Sequence, residues 1–227
     1  AGAITTLAGS LTESGKADGS GAAARFFSIG RIAIDANKNL YVADGTAVRL
    51  VTPAGEVSYF AGAPESYGQT EGYRTSARFG YITGLAFDGR GNLFVADSQR
   101  ITRISTIGNV VTAVGSSYGS DGSPTSVDGA AGIATAGNPM LLASLPGGGV
   151  AFFDNSGYTL RTVTPDANVA TLAGGGGLAG FAEGVGSAAR FNAYAGFSNA
   201  LVLSPNGTML LADTANRRIR RLALDTN

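Results

Sequence analysis

The chain contains an internal repeat, and this feature constrains its fold more than any other. Residues 25–57, RFFSIGRIAIDANKNLYVADGTAVRLVTPAGEV, are matched 53 residues later by RFGYITGLAFDGRGNLFVADSQRITRISTIGNV. The Asp that ends the middle apolar run occurs four times, at intervals of 53, 57 and 59 residues: Asp44, Asp97, Asp154 and Asp213. A repeat of this length is typical of folds that stack one supersecondary unit several times.

Each unit contains four short apolar runs separated by turn residues. The first two runs are joined by ANKN, GRGN, PGGG or SPNG, which favour tight antiparallel hairpins because Asn and Gly tolerate a positive φ. These two runs are apolar without alternation, which is typical of strands covered on both faces. The pattern predicts four-stranded antiparallel sheets with both faces buried, as in the blades of a β-propeller.

We therefore predict an all-β, four-bladed β-propeller in a single domain, residues 1–227. The predicted blades are approximately 26–62, 79–115, 133–174, and 191–224 together with 3–9. Residues 4–9, ITTLAG, match the fourth run of a unit, and the last unit ends after its third run. We expect this N-terminal strand to pair with the last blade and close the ring. Part of a larger propeller, or a half-ring that pairs with a second copy, are the alternative interpretations.

The units resemble a known repeat family. The stretch TLAG…DGSGAAARFFSIGRIAIDANKNLYVADGTAVRLVTPAGEV, and FAEGVGSAARF…LLADTANRRIRRL in the last unit, resemble the NHL repeat. The resemblance covers nearly all of the chain, although the third unit lacks the ARF motif and is longer before its first strand. It implies a propeller fold with a binding or scaffolding role, and it implies no particular ligand.

The repeated acidic and basic residues are interpreted as structural. A carboxylate at the end of a strand accepts backbone N–H groups of the next loop, whereas a metal site requires side chains that converge on one point. We assign this role to Asp44, Asp97, Asp154 and Asp213. One arginine on each third strand recurs as a further structural position: Arg49, Arg103, Arg161 and Arg220. We expect no metal site and no cofactor.

Acidic residues followed by Gly also recur, in the loops that enter each unit. They are Asp18, Glu71, Asp121 and Glu183. Their spacing does not match the twelve-residue calcium loop of EF-hands. We expect them to shape these loops by pairing with arginines that follow closely, Arg25, Arg78 and Arg190.

Aromatic residues in the loops between units are candidates for partner contact. These loops are expected to gather on one face of the propeller, beside the loops after the repeated Asp residues. Exposed tyrosines there suit contact with protein or glycan, and the alternative is that they fold over the blade ends. The candidates are Tyr67, Tyr73, Tyr118, Phe181 and Tyr194, with Arg217 from the cluster ANRRIRRL.

Composition excludes several classes of function. The chain has neither His nor Cys, so it lacks the commonest general base and the thiol nucleophile. Lys plus Arg equals Asp plus Glu, at 16 each, and the clustered arginines lie on one strand whose alternate residues face opposite sides. We therefore expect no nucleic-acid partner, and no run of apolar residues predicts membrane insertion.

These observations predict a non-catalytic propeller that acts as an interaction or scaffolding module, with a protein partner, self-association or a glycan. We expect the module to be part of a larger protein, and low charge, few Lys and many Ser, Thr and Gly favour an extracellular or cell-surface location. The first alternative is a calcium- and carboxylate-dependent hydrolase resembling lactonases. The second is an RNA-binding propeller of the NHL type.

Overall fold

A computed structural model describes residues 2–115, 126–175, 177–193 and 200–224. Within these residues the chain forms seventeen β-strands and three short 3₁₀ turns. The strands are β1 (Gly19–Ser20), β2 (Ile29–Ile34), β3 (Leu40–Asp44), β4 (Ala47–Val51), β5 (Glu56–Gly62), β6 (Gly72–Tyr73), β7 (Ile82–Phe87), β8 (Leu93–Asp97), β9 (Arg100–Ile104), β10 (Asn109–Val114), β11 (Pro139–Ser144), β12 (Val150–Asp154), β13 (Thr159–Val163), β14 (Val169–Gly174), β15 (Leu201–Leu203), β16 (Thr208–Asp213) and β17 (Arg218–Ala223). The 3₁₀ turns are Gly21–Ala23, Arg74–Ser76 and Gly186–Ala188.

The strands form four antiparallel sheets, arranged as the four blades of a β-propeller. Their strand orders are β1-β5-β4-β3-β2, β6-β10-β9-β8-β7, β11-β12-β13-β14 and β15-β16-β17. Each blade begins with the predicted hairpin, and the short strands β1 and β6 extend the outer edges of the first two blades. The predicted all-β, four-bladed fold is confirmed.

Successive blades pack face to face. We call the side of a blade that faces the preceding blade its leading face, and the opposite side its trailing face. Val48 and Phe60 on the trailing face of the first blade pack against Leu85, Val95 and Ile104 on the leading face of the second. Two similar apolar clusters join the second blade to the third and the third to the fourth. Burial on both sides explains why the inner strands carry continuous apolar runs.

The leading face of the first blade is only partly covered. Its outer part, Val42, Val51 and Val57, is buried under residues that include Ala24 and Phe26. The inner strand is different. Ile32 is 56 % exposed and Ile34 is 58 % exposed, whereas Leu85, which occupies the position of Ile32 in the second blade, is 7 % exposed.

The trailing face of the fourth blade is open as well. Strand register places Val202 opposite Leu210, and Ile219 opposite Ala212, on the side away from the third blade. Val202 is 51 % exposed and Ile219 is 79 % exposed. The row of blades therefore presents one partly uncovered apolar face at each end.

The predicted closure by residues 3–9 differs from the structure. Among the described residues, the fourth sheet has three strands and none of them comes from this segment. The segment instead lies along the first blade, where Ala8 packs against the cluster beneath Phe26 and the Gly9 amide donates to the Gly21 carbonyl. These contacts satisfy the segment locally, and Ile4 remains fully exposed.

Candidate functional site

The loops of interest lie at the end of the blades where each middle strand terminates. Asp44 ends β3 and is paired with Ala47, while Ala47 is also paired with Gly62 at the end of β5. The loop after the middle strand and the loop to the next blade therefore start side by side. We call this end of the propeller the aspartate face.

A buried ion pair anchors the loops of the third blade from beneath. Asp154 accepts hydrogen bonds from the backbone N–H groups of Gly137 and Asn138 at 3.2 and 3.0 Å. An Nη of Arg161 donates to Asp154 at 3.0 Å and to the Thr135 carbonyl at 2.8 Å. Both charged side chains are buried. Thr135 follows Ala134 in ATA, the segment that replaces the missing ARF motif.

The first and fourth blades repeat this arrangement. Asp44 accepts from the N–H groups of Phe27 and Ser28 at 2.8 and 2.7 Å, and Arg49 donates to it at 3.1 Å. In the fourth blade, Arg220 donates to Asp213 at 2.9 Å. A carboxylate fully engaged with loop amides and a guanidinium acts as a structural anchor.

The second blade departs from the prediction, because the anchoring arginine is Arg100 and not Arg103. Arg100 Nε donates to Asp97 at 3.1 Å and its Nη2 donates to the Arg78 carbonyl at 2.7 Å. Arg103 projects from the other face of β9 and donates to the Pro165 carbonyl of the third blade. Strand register places Thr102, not Arg103, at the position of Arg49.

Asp97 also has fewer donors than Asp154. Besides Arg100, the side chain accepts a hydrogen bond from the Gly80 N–H at 2.9 Å. Burial raises the pKa of Asp97 from 3.8 to about 6, and the charge of Arg100 and the Gly80 hydrogen bond only partly oppose this. A desolvated carboxylate with few donors favours its neutral form.

The acidic residues of the entering loops pair differently from the expectation. Asp18 binds Arg49 at 2.7 Å and Glu183 binds Arg220 at 3.2 Å, so both reinforce the anchors. In the third blade this role belongs to Asp128, which binds Arg161 at 2.8 Å. Desolvation would raise the pKa of Asp128, but hydrogen bonds from Arg161 and Thr171 outweigh it and lower the pKa below 3.8.

The arginines expected to pair with these acidic residues contact other groups. Arg25 binds Glu13 at 2.5 Å, and Arg78 and Arg190 donate to carbonyls of the adjacent 3₁₀ turns. Asp121 lies outside the described residues.

A cleft opens on the aspartate face between the first two blades. We call it the aromatic cleft, and its walls include Lys16, Phe27, Glu65, Tyr67 and Tyr81. Its volume is about 250 Å³. The three rings are each more than half exposed, so they present apolar surface to the solvent instead of folding over the blade ends.

Polar contacts hold the walls of the aromatic cleft in place. The Tyr67 and Tyr81 rings lie 6.1 Å apart, and the Tyr67 hydroxyl is 3.3 Å from Ser98 Oγ. Lys16 forms an ion pair with Glu65 across the cleft, and its Nζ lies 5.6 Å from the centre of the Phe27 ring. The cleft therefore combines aromatic faces with the Lys16–Glu65 ion pair.

The structure brings together only part of the predicted partner-binding set. Tyr67 lines the aromatic cleft, whereas Tyr73 lies on the outer edge strand β6, where it receives a hydrogen bond from Arg74. Phe181 lies in the fourth blade beneath Arg218, whose guanidinium carbon is 4.2 Å from the ring centre. Arg217 is exposed in the turn before β17.

Two members of the predicted set, Tyr118 and Tyr194, lie outside the described residues. The sequence reasoning missed Lys16, Phe27 and Tyr81. A signal was present, because Phe27 and Tyr81 follow the ARF motif of their units by one and two residues.

The C-terminal arginine cluster is divided between environments. Arg220 is buried against Asp213, Arg218 covers Phe181, and Arg217 and Arg221 are exposed. Only part of its charge is therefore available to solvent, and it is spread over two sides of β17.

A second cleft lies at the opposite end of the first two blades. Its floor is Tyr41, whose ring meets Phe60 and Phe87 edge to face at 4.8 and 4.9 Å. Asp35 and Asp88 line it, but each caps its own hairpin turn by accepting from Asn39 or Asn92. Desolvation would raise the pKa of Asp35, but hydrogen bonds from Asn39, Asn37 and Tyr41 lower it below 3.8.

In the part of the chain that the structure describes, no three carboxylates lie close enough together to hold a metal ion. The same residues contain no helix with the length and apolar character needed to cross a membrane.

Comparisons with known proteins support the fold. No protein-family model and no curated protein matches the sequence, so the NHL resemblance stays a prediction. Solved structures that resemble it include a protein of unknown function from Bacteroides thetaiotaomicron, with 19 % identity, 96 % of this chain and 75 % of that chain covered, and a TM-score of 0.51.

Two further structures are similar. An auxiliary nutrient binding protein from the same species has 15 % identity, with 87 % of this chain and 59 % of that chain covered, and a TM-score of 0.53. A gluconolactonase from Xanthomonas campestris has 16 % identity, with 86 % and 58 % covered, and a TM-score of 0.55. The chain thus spans less than two thirds of the length of these two proteins. Identities this low establish the propeller fold alone.

Proposed function

We propose that the protein is a non-catalytic interaction module, an NHL-type propeller that binds a protein partner through the aromatic cleft. The observation that carries this proposal is the exposure of Phe27, Tyr67 and Tyr81 around one concave site. Tyr and other aromatic residues contribute most of the binding energy in many protein interfaces because they bury large areas with little loss of conformational freedom.

The chemistry of the cleft suits an extended peptide segment with an apolar side chain. Such a side chain would pack on the rings, while the Lys16–Glu65 pair at the rim would meet polar backbone groups. The loop that carries Glu65 and Tyr67 is held by the Thr46 hydroxyl, which donates to the Ala63 carbonyl at 3.1 Å. A cleft with fixed walls loses little entropy on binding.

The described carboxylates support a binding role over a hydrolytic one. Asp44, Asp97, Asp154 and Asp213 are engaged with loop amides and arginines, and Asp35 and Asp88 cap hairpins. The structural neighbours include both a nutrient binding protein and a gluconolactonase, so fold similarity does not favour either activity. An extracellular or surface location is part of the proposal and rests on composition.

Selection from a displayed random peptide library on the immobilised protein tests the proposal. Selected peptides are expected to bind in solution, as measured by calorimetric titration, and Tyr67→Ala and Tyr81→Ala should each weaken binding at least about tenfold. Tyr73→Ala is the matched control, since it removes a similarly exposed tyrosine outside the cleft and should leave the affinity unchanged.

Three outcomes would contradict the proposal. Equal losses in the Tyr73→Ala control would show that the cleft is not the site. Binding on a glycan array, with no peptide selected, would replace the protein partner by a carbohydrate. Calcium-dependent turnover of lactones or esters would favour the hydrolase alternative.

A further inference from the structure

The two open blade faces at the ends of the propeller match each other. At all three junctions within the chain, the trailing face of one blade packs against the leading face of the next. The leading face that remains open is on the first blade, and the trailing face that remains open is on the fourth. Ile32, Ile34, Val202 and Ile219 are all more than half exposed, so these faces do not pack on each other within one molecule.

The residues on the open leading face are of the kind that is buried elsewhere. Ile32 and Ile34 lie 53 residues before Leu85 and Phe87, which pack in the junction between the first two blades. The large exposed aliphatic side chains form a continuous strip along β2, the innermost strand. A strip of this kind is typical of an interaction surface.

The open trailing face has the same relation to its buried counterparts. Val202 occupies the position of Ala33, and Ile219 that of Val48, which is completely buried against the second blade. Both positions follow from the strand pairing on either side of Asp44 and Asp213. The fourth blade therefore presents apolar side chains at the positions that pack against a leading face in the first blade.

A charged residue on the open trailing face points to the same partner. Arg221 lies opposite Leu210 in the strand pairing, and Arg103 lies opposite Phe94. Leu210 and Phe94 each lie three residues before the Asp that ends their strand, so the two arginines occupy equivalent positions. In the second blade, Arg103 crosses the junction and donates to the Pro165 carbonyl in the β13–β14 turn of the third blade. The corresponding turn of the first blade, TPAG, contains Pro53. Arg221 is thus placed to donate to the Pro53 carbonyl of a first blade docked on the fourth.

We propose that a second copy of this chain docks head to tail, with its first blade packed on the fourth blade of the neighbouring copy. One surface is the apolar strip on the first blade. The other is the open face of the fourth blade, which carries apolar side chains and Arg221. Such a contact joins two different surfaces, so two copies close into a ring if the geometry permits and form longer rows otherwise.

Light scattering coupled to size exclusion, over a wide range of concentration, measures the association. The protein is expected to exceed its chain mass of 22.7 kDa as concentration rises. Ile32→Asp and Ile219→Asp should each raise the dissociation constant on the order of 100-fold, because each buries an unpaired charge in an apolar contact. Val185→Asp, at an exposed loop position, is the matched control and should associate as the parent does.

Mixing the two variants distinguishes a head-to-tail contact from a symmetric one. Ile32→Asp retains an intact trailing face and Ile219→Asp an intact leading face, so the mixture should form a 1:1 complex that grows no further. Both sites are exposed in the single molecule, so thermal melts of the variants should match the parent at low concentrations where the parent is also monomeric.

The proposal is overturned if the parent stays monomeric at every concentration, as expected if other blades or an unrelated partner cover these faces. It is also overturned if neither variant weakens association, or if the mixture fails to form the 1:1 complex.

Discussion

The second and third blades solve the same structural problem with different means. Each must hold the loops above a buried carboxylate. Among the described residues, Asp154 accepts five hydrogen bonds, including those from Ser126 Oγ at 2.7 Å and Arg161 at 3.0 Å. Within the same residues, Asp97 accepts from the Gly80 amide and Arg100. The difference shows that the repeat keeps the position of the buried carboxylate but not the set of groups that bind it.

Removing the anchoring guanidinium should give the largest difference in stability between the third and second blades. Arg161→Met leaves the buried Asp154 carboxylate without its counter-ion and removes the Arg161 hydrogen bonds to Asp128 and to two carbonyl groups, so we expect a loss of about 3–5 kcal/mol in the free energy of unfolding. Urea denaturation at neutral pH measures it. Arg100→Met is the matched variant and should cost less, about 1–3 kcal/mol, because Asp97 can take up a proton more readily. Equal losses would contradict the comparison.

The second largest difference should be in how the stability contributed by each buried carboxylate depends on pH. Since the folded pKa of Asp97 is about 6 and its ordinary value is 3.8, the folded state binds the proton more tightly than the unfolded state. Stability from this group is fully present below pH 3.8 and is lost as pH rises through 6. The full loss is about 3 kcal/mol, and most of it falls between pH 4 and pH 7.

The Asp97→Asn variant isolates this effect, because Arg100 stays charged throughout the range. The parent should lose stability relative to Asp97→Asn as pH rises from 4 to 7, as followed by urea denaturation at each pH. Asp35 and Asp128, whose pKa values lie below 3.8, lose their contribution only as pH falls through those lower values. A constant difference between parent and variant would contradict the raised pKa.

The smallest effect should come from one donor of the third blade. Ser126→Ala removes the hydroxyl that binds Asp154 at 2.7 Å. The remaining donors to Asp154 then resemble more closely those to Asp97 in the second blade. We expect a loss of about 1–2 kcal/mol in thermal or urea unfolding. Ser105→Ala, which removes a hydroxyl that receives only the Asn109 amide in an exposed turn, is the control and should change stability less. The reverse order would show that the additional donors to Asp154 are redundant.

Local pattern was sufficient to predict the blades. Apolar runs, Asn/Gly turns and the Asp at the end of each middle strand specify a buried antiparallel sheet without reference to distant residues. The sequence was also sufficient to predict that Arg100, and not Arg103, binds Asp97. The turns after Asp44 and Asp97 are equally long, so side-chain alternation places Thr102 at the position of Arg49 and turns Arg103 to the other face.

Ring closure and the aromatic cleft could not be predicted from the sequence in the same way. Whether residues 3–9 reach the last blade depends on small rotations that accumulate from blade to blade, and no residue pattern within one blade encodes them. The aromatic cleft joins Lys16, Tyr67 and Tyr81 from loops of two blades, and sequence distance gives no measure of that proximity.

The arginine anchors also bear on how this surface can change. Each inter-blade loop is fastened near its base, so substitutions at its tip leave the fastening intact. The proposed recognition on the aspartate face should therefore tolerate exchange of tip residues such as Tyr67, and the propeller would then serve as a scaffold for grafted specificities.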